Sequence, residues 1–303
     1  MQKNAAVTAA GAMNPRSFEY HAPSSVKEAV ALLKAYGSEA KILAGGQSLI
    51  PLMKLRIASP AHVIDLNRIK DLAYVRREDG HFAIGAMARM AELEESEALK
   101  KWCAIVPECA AQIADPLVRN LGTIGGNVSH ADPANDMPAV MVATGAALVA
   151  AGPKGTRSIP AAEFFLDTFT TALKEDELLV EVRIPVGRYA DGAYAKLERQ
   201  AGDFGIIGVA ASLRLSADGG CSGCGIGLAG AGPKVVKARK AEEAIVGTRV
   251  DAESMERASA LAEEESSPIS DLRGTEEYKR EMVKVMTRRA LAQAMKRARG
   301  RLP

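Results

Sequence analysis

The stretch that most constrains this chain is Arg119-Asn-Leu-Gly-Thr-Ile-Gly-Gly-Asn127, which runs on into Val-Ser-His-Ala-Asp-Pro-Ala-Asn-Asp136. Gly122, Gly125 and Gly126 lie within five residues of one another, flanked by apolar sequence instead of the polar residues of a flexible linker. Glycine reaches positive φ without steric cost and lets a backbone approach a ligand closely. Thr123 and Asn127 add short hydrogen-bonding side chains at either end. A long apolar stretch, residues 137–151, follows Asp136 and reads as a buried helix. A glycine loop with exposed N–H groups suits a phosphate or pyrophosphate.

An earlier segment, Ile42-Leu-Ala-Gly-Gly-Gln-Ser-Leu-Ile50, has the same plan: an apolar run, Gly-Gly, then small polar residues. Two such loops in one domain point to one long, doubly phosphorylated ligand held from two sides. On spacing alone a second reading stays open, two tight turns between strands and helices.

The rest of the chain supplies a frame. Ser25-Val-Lys-Glu28 is a capping-box pattern that starts a helix over 26–36 with Val26, Ala29, Val30 and Leu33 on one face, stopped by Gly37. Strands are expected at 41–43 and 63–66, with a short irregular helix at 47–57 between them. Lys54 and Arg56, near the first glycine turn, read as solvated surface in preference to phosphate ligands. A strand pair is expected at 73–76 and 82–84, then helices at 88–96 and 102–114, the second broken near Pro107. Residues 146–151 read as a strand. Residues 178–184 alternate apolar and charged as a half-buried strand does, with Leu179 the apolar exception. Beyond Pro185 come three strand candidates at hairpin spacing (193–197, 206–215 and 222–228), then polar helices at 234–246, 251–265 and 275–299. Residues 1–14 have no periodic face and read as a mobile extension. Length suggests two domains. The expected division is an extension over 1–14, a first domain over 15–185 with lobes at about 15–66 and 67–185, and a second over 186–303. The fold class is α+β.

Composition narrows the partners. A net charge of +2 over 303 residues gives no argument for nucleic acid. No apolar run reaches transmembrane length free of charge or glycine, and no signal-peptide pattern opens the chain. Four cysteines in so long a chain are not a disulfide framework, which fits a reducing cytoplasm.

Other motifs are weaker. Gly225-Ile-Gly-Leu-Ala-Gly230 matches the dinucleotide pattern literally, but it should open a helix, and Ala-Gly-Pro233 follows at once. Cys221 and Cys224 make a single C-x-x-C without a second pair, so small strand residues are the better reading. His130 either touches a ligand or hydrogen-bonds a turn. No nucleophile–base arrangement or paired carboxylates stand out, which favours a bound cofactor doing the chemistry.

These residues resemble a family. Ala44-Gly-Gly-Gln-Ser48 with Met53-Lys-x-Arg56, Thr123-Ile-Gly-Gly-Asn127, Asp132-Pro-Ala-Asn-Asp136 and Tyr194-x-Lys196-x-x-Arg199-x-x-x-Asp203-Phe204 are similar to signatures of the FAD-binding medium subunits of molybdenum hydroxylases, those of aerobic carbon monoxide dehydrogenases above all. Ser270-Asp-Leu-Arg273 to Tyr278 and Arg288-Arg-Ala-Leu291 extend the likeness towards the C-terminus, so that it spans nearly the whole chain.

The resemblance implies a two-part FAD-binding domain of the vanillyl-alcohol-oxidase (PCMH) type, then a smaller α+β domain with a three-stranded antiparallel sheet and helices. It implies that Leu43, Ala44, Gly45, Gly46, Gln47, Ser48, Leu49 and Ile50 line the cofactor together with Thr123, Ile124, Gly125, Gly126 and Asn127, the two loops holding the diphosphate through backbone N–H groups. Asp136 matches an acidic residue near the ribityl or adenosine part. Leu179 and Lys196 match positions close to the isoalloxazine, and Ile113 stands where relatives can have an aromatic. Gln47 departs from the histidine of close relatives.

It further implies partners. A large subunit with a molybdenum–pterin cofactor oxidises the substrate, and a small subunit passes electrons through two [2Fe–2S] clusters to this FAD. Quinone, NAD or oxygen is the acceptor, and the assembly is a dimer of heterotrimers, cytoplasmic, with any membrane association made through partners. The competing readings are a free-standing FAD oxidoreductase of the same fold and a non-catalytic assembly protein whose glycine loops are only turns.

Overall fold

The computed structural model describes residues 14–187 and 191–300. The expected extension lies outside the described residues except for Asn14, whose carbonyl accepts a hydrogen bond from Arg56 Nε at 3.2 Å.

The chain begins with a small parallel sheet of order β1-β3-β2, formed by β1 (Glu19–His21), β2 (Ala40–Leu43) and β3 (His62–Asp65). Helix α1 (Val26–Tyr36) crosses from β1 to β2, and α2 (Leu49–Lys54) from β2 to β3. Ser25 caps α1 by accepting from Glu28 N, while the Glu28 carboxylate reaches back to Ser24 N at 2.8 Å. Ala29, Val30 and Leu33 are buried against Ile64, Leu66 and Leu72, the face that the helical spacing picked out.

A five-stranded antiparallel sheet of order β4-β5-β10-β6-β7 follows. Its strands are β4 (Val75–Glu78), β5 (His81–Gly85), β6 (Ala147–Gly152), β7 (Gly155–Pro160) and β10 (Leu178–Pro185), and a two-stranded ribbon, β8 (Phe165–Asp167) with β9 (Thr170–Thr171), stands apart. Between β5 and β6 run six helices: α3 (Met90–Glu95), α4 (Glu97–Trp102), α5 (Ile105–Ala111), α6 (Pro116–Leu121), α7 (Ile124–His130) and α8 (Asp136–Thr144); α9 (Ala161–Phe164) follows β7. The break expected near Pro107 falls earlier, at Cys103, and Pro107 sits in the first turn of α5, where its missing N–H costs nothing. A bulge between Leu179 and Glu181 explains the irregular alternation of β10. It puts Leu179, Val182 and Ile184 in one core while Leu178 and Val180 face the other.

The last part is an antiparallel sheet of order β11-β12-β13-β14, made of β11 (Asp191–Leu197), β12 (Ile207–Leu215), β13 (Cys221–Ala229) and β14 (Val236–Lys237), with α10 (Arg239–Ile245), α11 (Ala252–Glu264) and α12 (Glu276–Arg299). The three expected strands are thus joined at one edge by a two-residue fourth. Helix α12, capped by Thr275, packs across β11 and β12 on one face of the sheet, and α8 covers the other.

The glycines of the dinucleotide-like pattern serve that packing. Gly225 and Gly227 lie within β13 and Gly230 just past its end, none of them at a helix start, and a Cβ on Gly225 or Gly227 would stand 2.0 Å from the Ala143 carbonyl or 2.2 Å from that of Ala139. Cys221 and Cys224 are buried thiols of the same strand, and burial raises the pKa of both.

Candidate cofactor site

β2 delivers the chain into its first glycine turn. Gly46 has φ +75°, a left-handed conformation, and its carbonyl accepts from Ile50 N at 3.0 Å. Gln47 folds back to donate to the Gly45 carbonyl, and Ser48 begins α2 without capping it. Among the described residues no acceptor meets the N–H groups of Gly45, Gly46, Gln47 or Ser48. Buried or half-buried backbone donors are normally paired, so four in succession form a nest for an anion. Lys54 and Arg56 are exposed, as expected of surface residues.

The second glycine segment lies against the first. A Cβ on Gly45 would stand 2.3 Å from the Leu121 carbonyl, and one on Gly126 would touch Ala44 Cβ at 3.7 Å. This segment is not an open loop, contrary to the sequence expectation. Thr123 caps α7, and Ile124 to Asn127 form its first turn. Their amides are spent inside the protein: Ile124 N on Ala88 O (3.0 Å), Gly125 N on Ala86 O (2.9 Å), Gly126 N on Thr123 Oγ1 (3.1 Å) and Asn127 N on Thr123 O (3.0 Å). Diphosphate capture by the N–H groups of both loops therefore does not fit; only the first loop offers them free. The second offers side chains, and the Asn127 carboxamide oxygen is buried without a hydrogen-bond partner. Such an orphan acceptor awaits a donor.

Two residues that local patterns did not single out tie the segments together. Asn67 donates to the Ala44 carbonyl (2.9 Å), and Arg89 donates to Asn67 Oδ1 (2.6 Å) and to the Leu121 carbonyl.

A second cluster lies where α8 meets β11. Asp136, in the first turn of α8, accepts from the Tyr194 hydroxyl at 2.5 Å, and Lys196 Nζ stands 3.4 Å from its other oxygen. The Lys196 side chain is 1 % exposed; it donates to the Gln112 carbonyl at 2.8 Å and lies 3.2 Å from Glu198 Oε2. Burial pushes the Asp136 carboxyl up to about 6, against the opposing pull of the Lys196 charge and the Tyr194 hydrogen bond. Burial, then the Asp136 charge, raises the Tyr194 phenol well above its ordinary value. A carboxyl with such a pKa can hold or release a proton near neutrality. Tyr194 shares a face of β11 with Lys196 by strand alternation, a signal that the motif contained.

The remaining expected residues fall around these two clusters. Asn135, beside Asp136, donates to the Asn127 carbonyl at 3.0 Å and so links the second segment to the carboxylate. Ile113 is buried next to Gln112. Leu179 is buried in β10, whose Val180 carbonyl accepts from Ala86 N behind Gly125. Leu43 and Leu49 are half-buried and Ile50 is exposed at the first turn. His130 faces Phe169 at 5.0 Å between ring centroids, and burial lowers its pKa. Free amides in one segment, an orphan acceptor in the segment packed against it, and a buried carboxylate and lysine linked to that segment through Asn135 suit an anionic cofactor carrying a hydrogen-bonding ring.

Comparison with known proteins agrees with this reading. Residues 16–187 match the FAD binding domain in molybdopterin dehydrogenase, and residues 192–294 the CO dehydrogenase flavoprotein C-terminal domain. The chain is 43 % identical to the carbon monoxide dehydrogenase medium chain of Afipia carboxidovorans, over 95 % of this chain and 100 % of that one. Its structure is similar to that of the carbon monoxide dehydrogenase from Hydrogenophaga pseudoflava which lacks the Mo-pyranopterin moiety of the molybdenum cofactor (TM-score 0.91, 44 % identity, 94 % and 99 % of the two chains). It is also similar to quinoline 2-oxidoreductase from Pseudomonas putida 86 (TM-score 0.88, 31 % identity, 94 % and 99 %). Among the described residues no helix is long and apolar enough to cross a membrane.

Proposed function

The chain belongs to the FAD-binding medium subunits of the molybdenum hydroxylases, and we propose that it relays electrons within such an enzyme, from the [2Fe–2S] clusters of a small partner subunit to an external acceptor. It is an oxidoreductase subunit of the carbon monoxide dehydrogenase type. The observation that supports the relay is the unpaired amide nest of Gly45, Gly46, Gln47 and Ser48, packed against a segment whose Asn127 has a buried orphan oxygen.

FAD supplies the redox chemistry, and the protein supplies its position. The nest takes the diphosphate, while Thr123 and Asn127 bind through side chains. Asp136 and Lys196 face the ribityl or ring end, where the carboxyl holds or yields a proton. Ile113, Leu179 and the buried faces around them exclude water from that end. In this proposal residues 15–185 form the FAD-binding domain, with lobes at about 15–66 and 67–185, and residues 186–303 the C-terminal domain. The large partner subunit oxidises the substrate at its molybdenum–pterin centre. Carbon monoxide is the first choice on closeness to the relatives named for it, and quinone, NAD or oxygen accepts the electrons. The assembly is a dimer of heterotrimers in the cytoplasm, reaching a membrane only through partners.

The test is co-expression with both partner subunits. The purified complex is expected to contain molybdenum, iron and one FAD per medium chain, and carbon monoxide should bleach the flavin only when the iron–sulfur subunit is present. A complex reduced by other substrates but not by carbon monoxide would reassign the substrate. Substrate-dependent bleaching in the isolated chain would establish a free-standing oxidoreductase instead, and a folded chain without flavin would leave an assembly protein.

A further inference from the structure

The small parallel sheet brings together three side chains that the flavin site does not use. β1 and β3 pair in register with Glu19 opposite His62 and His21 opposite Ile64. Side chains alternate along a strand, so Glu19 and His21 share a face, and His62 joins them from the neighbouring strand at the level of Glu19. His21 Nε2 lies 3.1 Å from His62 Nδ1, and Glu19 Oε2 lies 3.4 Å from His62 Nδ1 and 4.0 Å from His21 Nε2. The point equidistant from these three atoms is about 2.1 Å from each, the length of a zinc–imidazole or zinc–carboxylate bond.

We propose that Glu19, His21 and His62 form a binding site for a divalent transition-metal ion, zinc or one of similar ligand preference, with one coordination position open. Two imidazoles and a carboxylate favour zinc, copper, nickel or iron over the harder magnesium and calcium ions. The rings are already placed. Tyr36, at the end of α1, stacks on His62 at 3.7 Å between centroids and on His21 at 5.0 Å, and the two imidazole side chains are only 14 % and 19 % exposed. Little side-chain freedom is lost on coordination, apart from that of Glu19, which is exposed and can swing over the pair. The ion would clamp the three-residue edge strand β1 onto β3 and leave its open position to solvent or to a side chain of another subunit.

The experiment uses the full chain with bound FAD, made without a polyhistidine tag, stripped with chelator and titrated with zinc alone by calorimetry. One saturable equivalent is expected, together with a rise in melting temperature and no heat from magnesium. Cobalt in place of zinc should give visible absorption of low-symmetry, four- or five-coordinate type. His21→Gln and His62→Gln should each weaken binding at least 10-fold and the double variant abolish it. Glu19→Gln, at an exposed position, should weaken it about 10-fold with flavin content unchanged, and Cys221→Ser/Cys224→Ser should leave it intact. The absence of stoichiometric zinc binding in folded, flavin-containing protein would overturn the site, as would binding that survives the double histidine change. Loss on the histidine changes with none on Glu19→Gln would overturn the three-ligand assignment.

Discussion

Asp136 is the residue whose environment has the clearest consequence. Its folded pKa of about 6 lies above the ordinary 3.8, so the native state holds the proton more tightly than the unfolded chain. The stability that this contributes is fully present below about pH 4 and is lost as pH rises towards 6, on the order of 3 kcal/mol in all. Asp136→Asn removes the titrating group. Urea unfolding of the two proteins should therefore show the wild type losing ground to the variant between pH 4 and 7; parallel pH profiles would count against a raised pKa. How much of this was legible depends on distance along the chain. Asp136 and Lys196 stood in recognisable motifs, and strand alternation put Tyr194 beside Lys196. Asn67 and Arg89 stood in none, because each acts by bridging backbone carbonyls of segments far apart in sequence, and local periodicity does not encode such partners.

At the scale of elements, the glycine pattern marked the right places but not the right conformations. Gly-Gly in a strand-to-helix turn was correctly a turn at Gly45-Gly46, whereas Gly125-Gly126 became helix because Thr123 could cap it and the carbonyls of Ala86 and Ala88 could take its amides. What the sequence did not reveal is that these glycines are needed for contact between backbones as much as for φ. This separates two substitutions. In Gly45→Ala the new methyl meets the rigid Leu121 carbonyl at 2.3 Å, so the two segments must part. In Gly46→Ala it meets the movable Ile50 side chain at 2.5 Å, and the main penalty is the left-handed φ, about 1 kcal/mol. FAD titration followed by flavin fluorescence should show affinity falling about 100-fold for Gly45→Ala and about 5- to 10-fold for Gly46→Ala. The reverse order would mean that the nest does not depend on the contact between segments.

At the scale of the molecule, the charge pair of the site is assembled from two parts of the chain. Asp136 comes from α8, in the segment matched to the FAD-binding domain, and Tyr194 and Lys196 come from β11, in the segment matched to the C-terminal domain. Two features hold these parts in register. One is the close approach of α8 to β13 at Gly225 and Gly227. The other is Glu108, whose carboxylate takes two 2.8 Å hydrogen bonds from Arg297, one from Gln293 at 2.7 Å and one from the Tyr194 amide at 2.9 Å. Glu108→Gln keeps the shape but removes the charge, and should cost about 1–3 kcal/mol. Gly225→Ala acts differently, because a methyl 2.0 Å from the Ala143 carbonyl forces α8 off the sheet. Each part retains most of a core, since one cluster lies among α10, α11, α12 and the last sheet, and another lies beneath the five-stranded sheet and, among the described residues, takes only Tyr194, Ala210, Ala229 and Val235 from the last part. Calorimetry of Gly225→Ala should therefore resolve two transitions where the wild type and Glu108→Gln show one. The same variant should lose the pH-dependent stability assigned to Asp136, because its carboxylate no longer lies buried against Tyr194 and Lys196. A single transition with that pH dependence intact would mean that α8 adapts to the methyl without moving, and that the interface is softer than its backbone contacts imply.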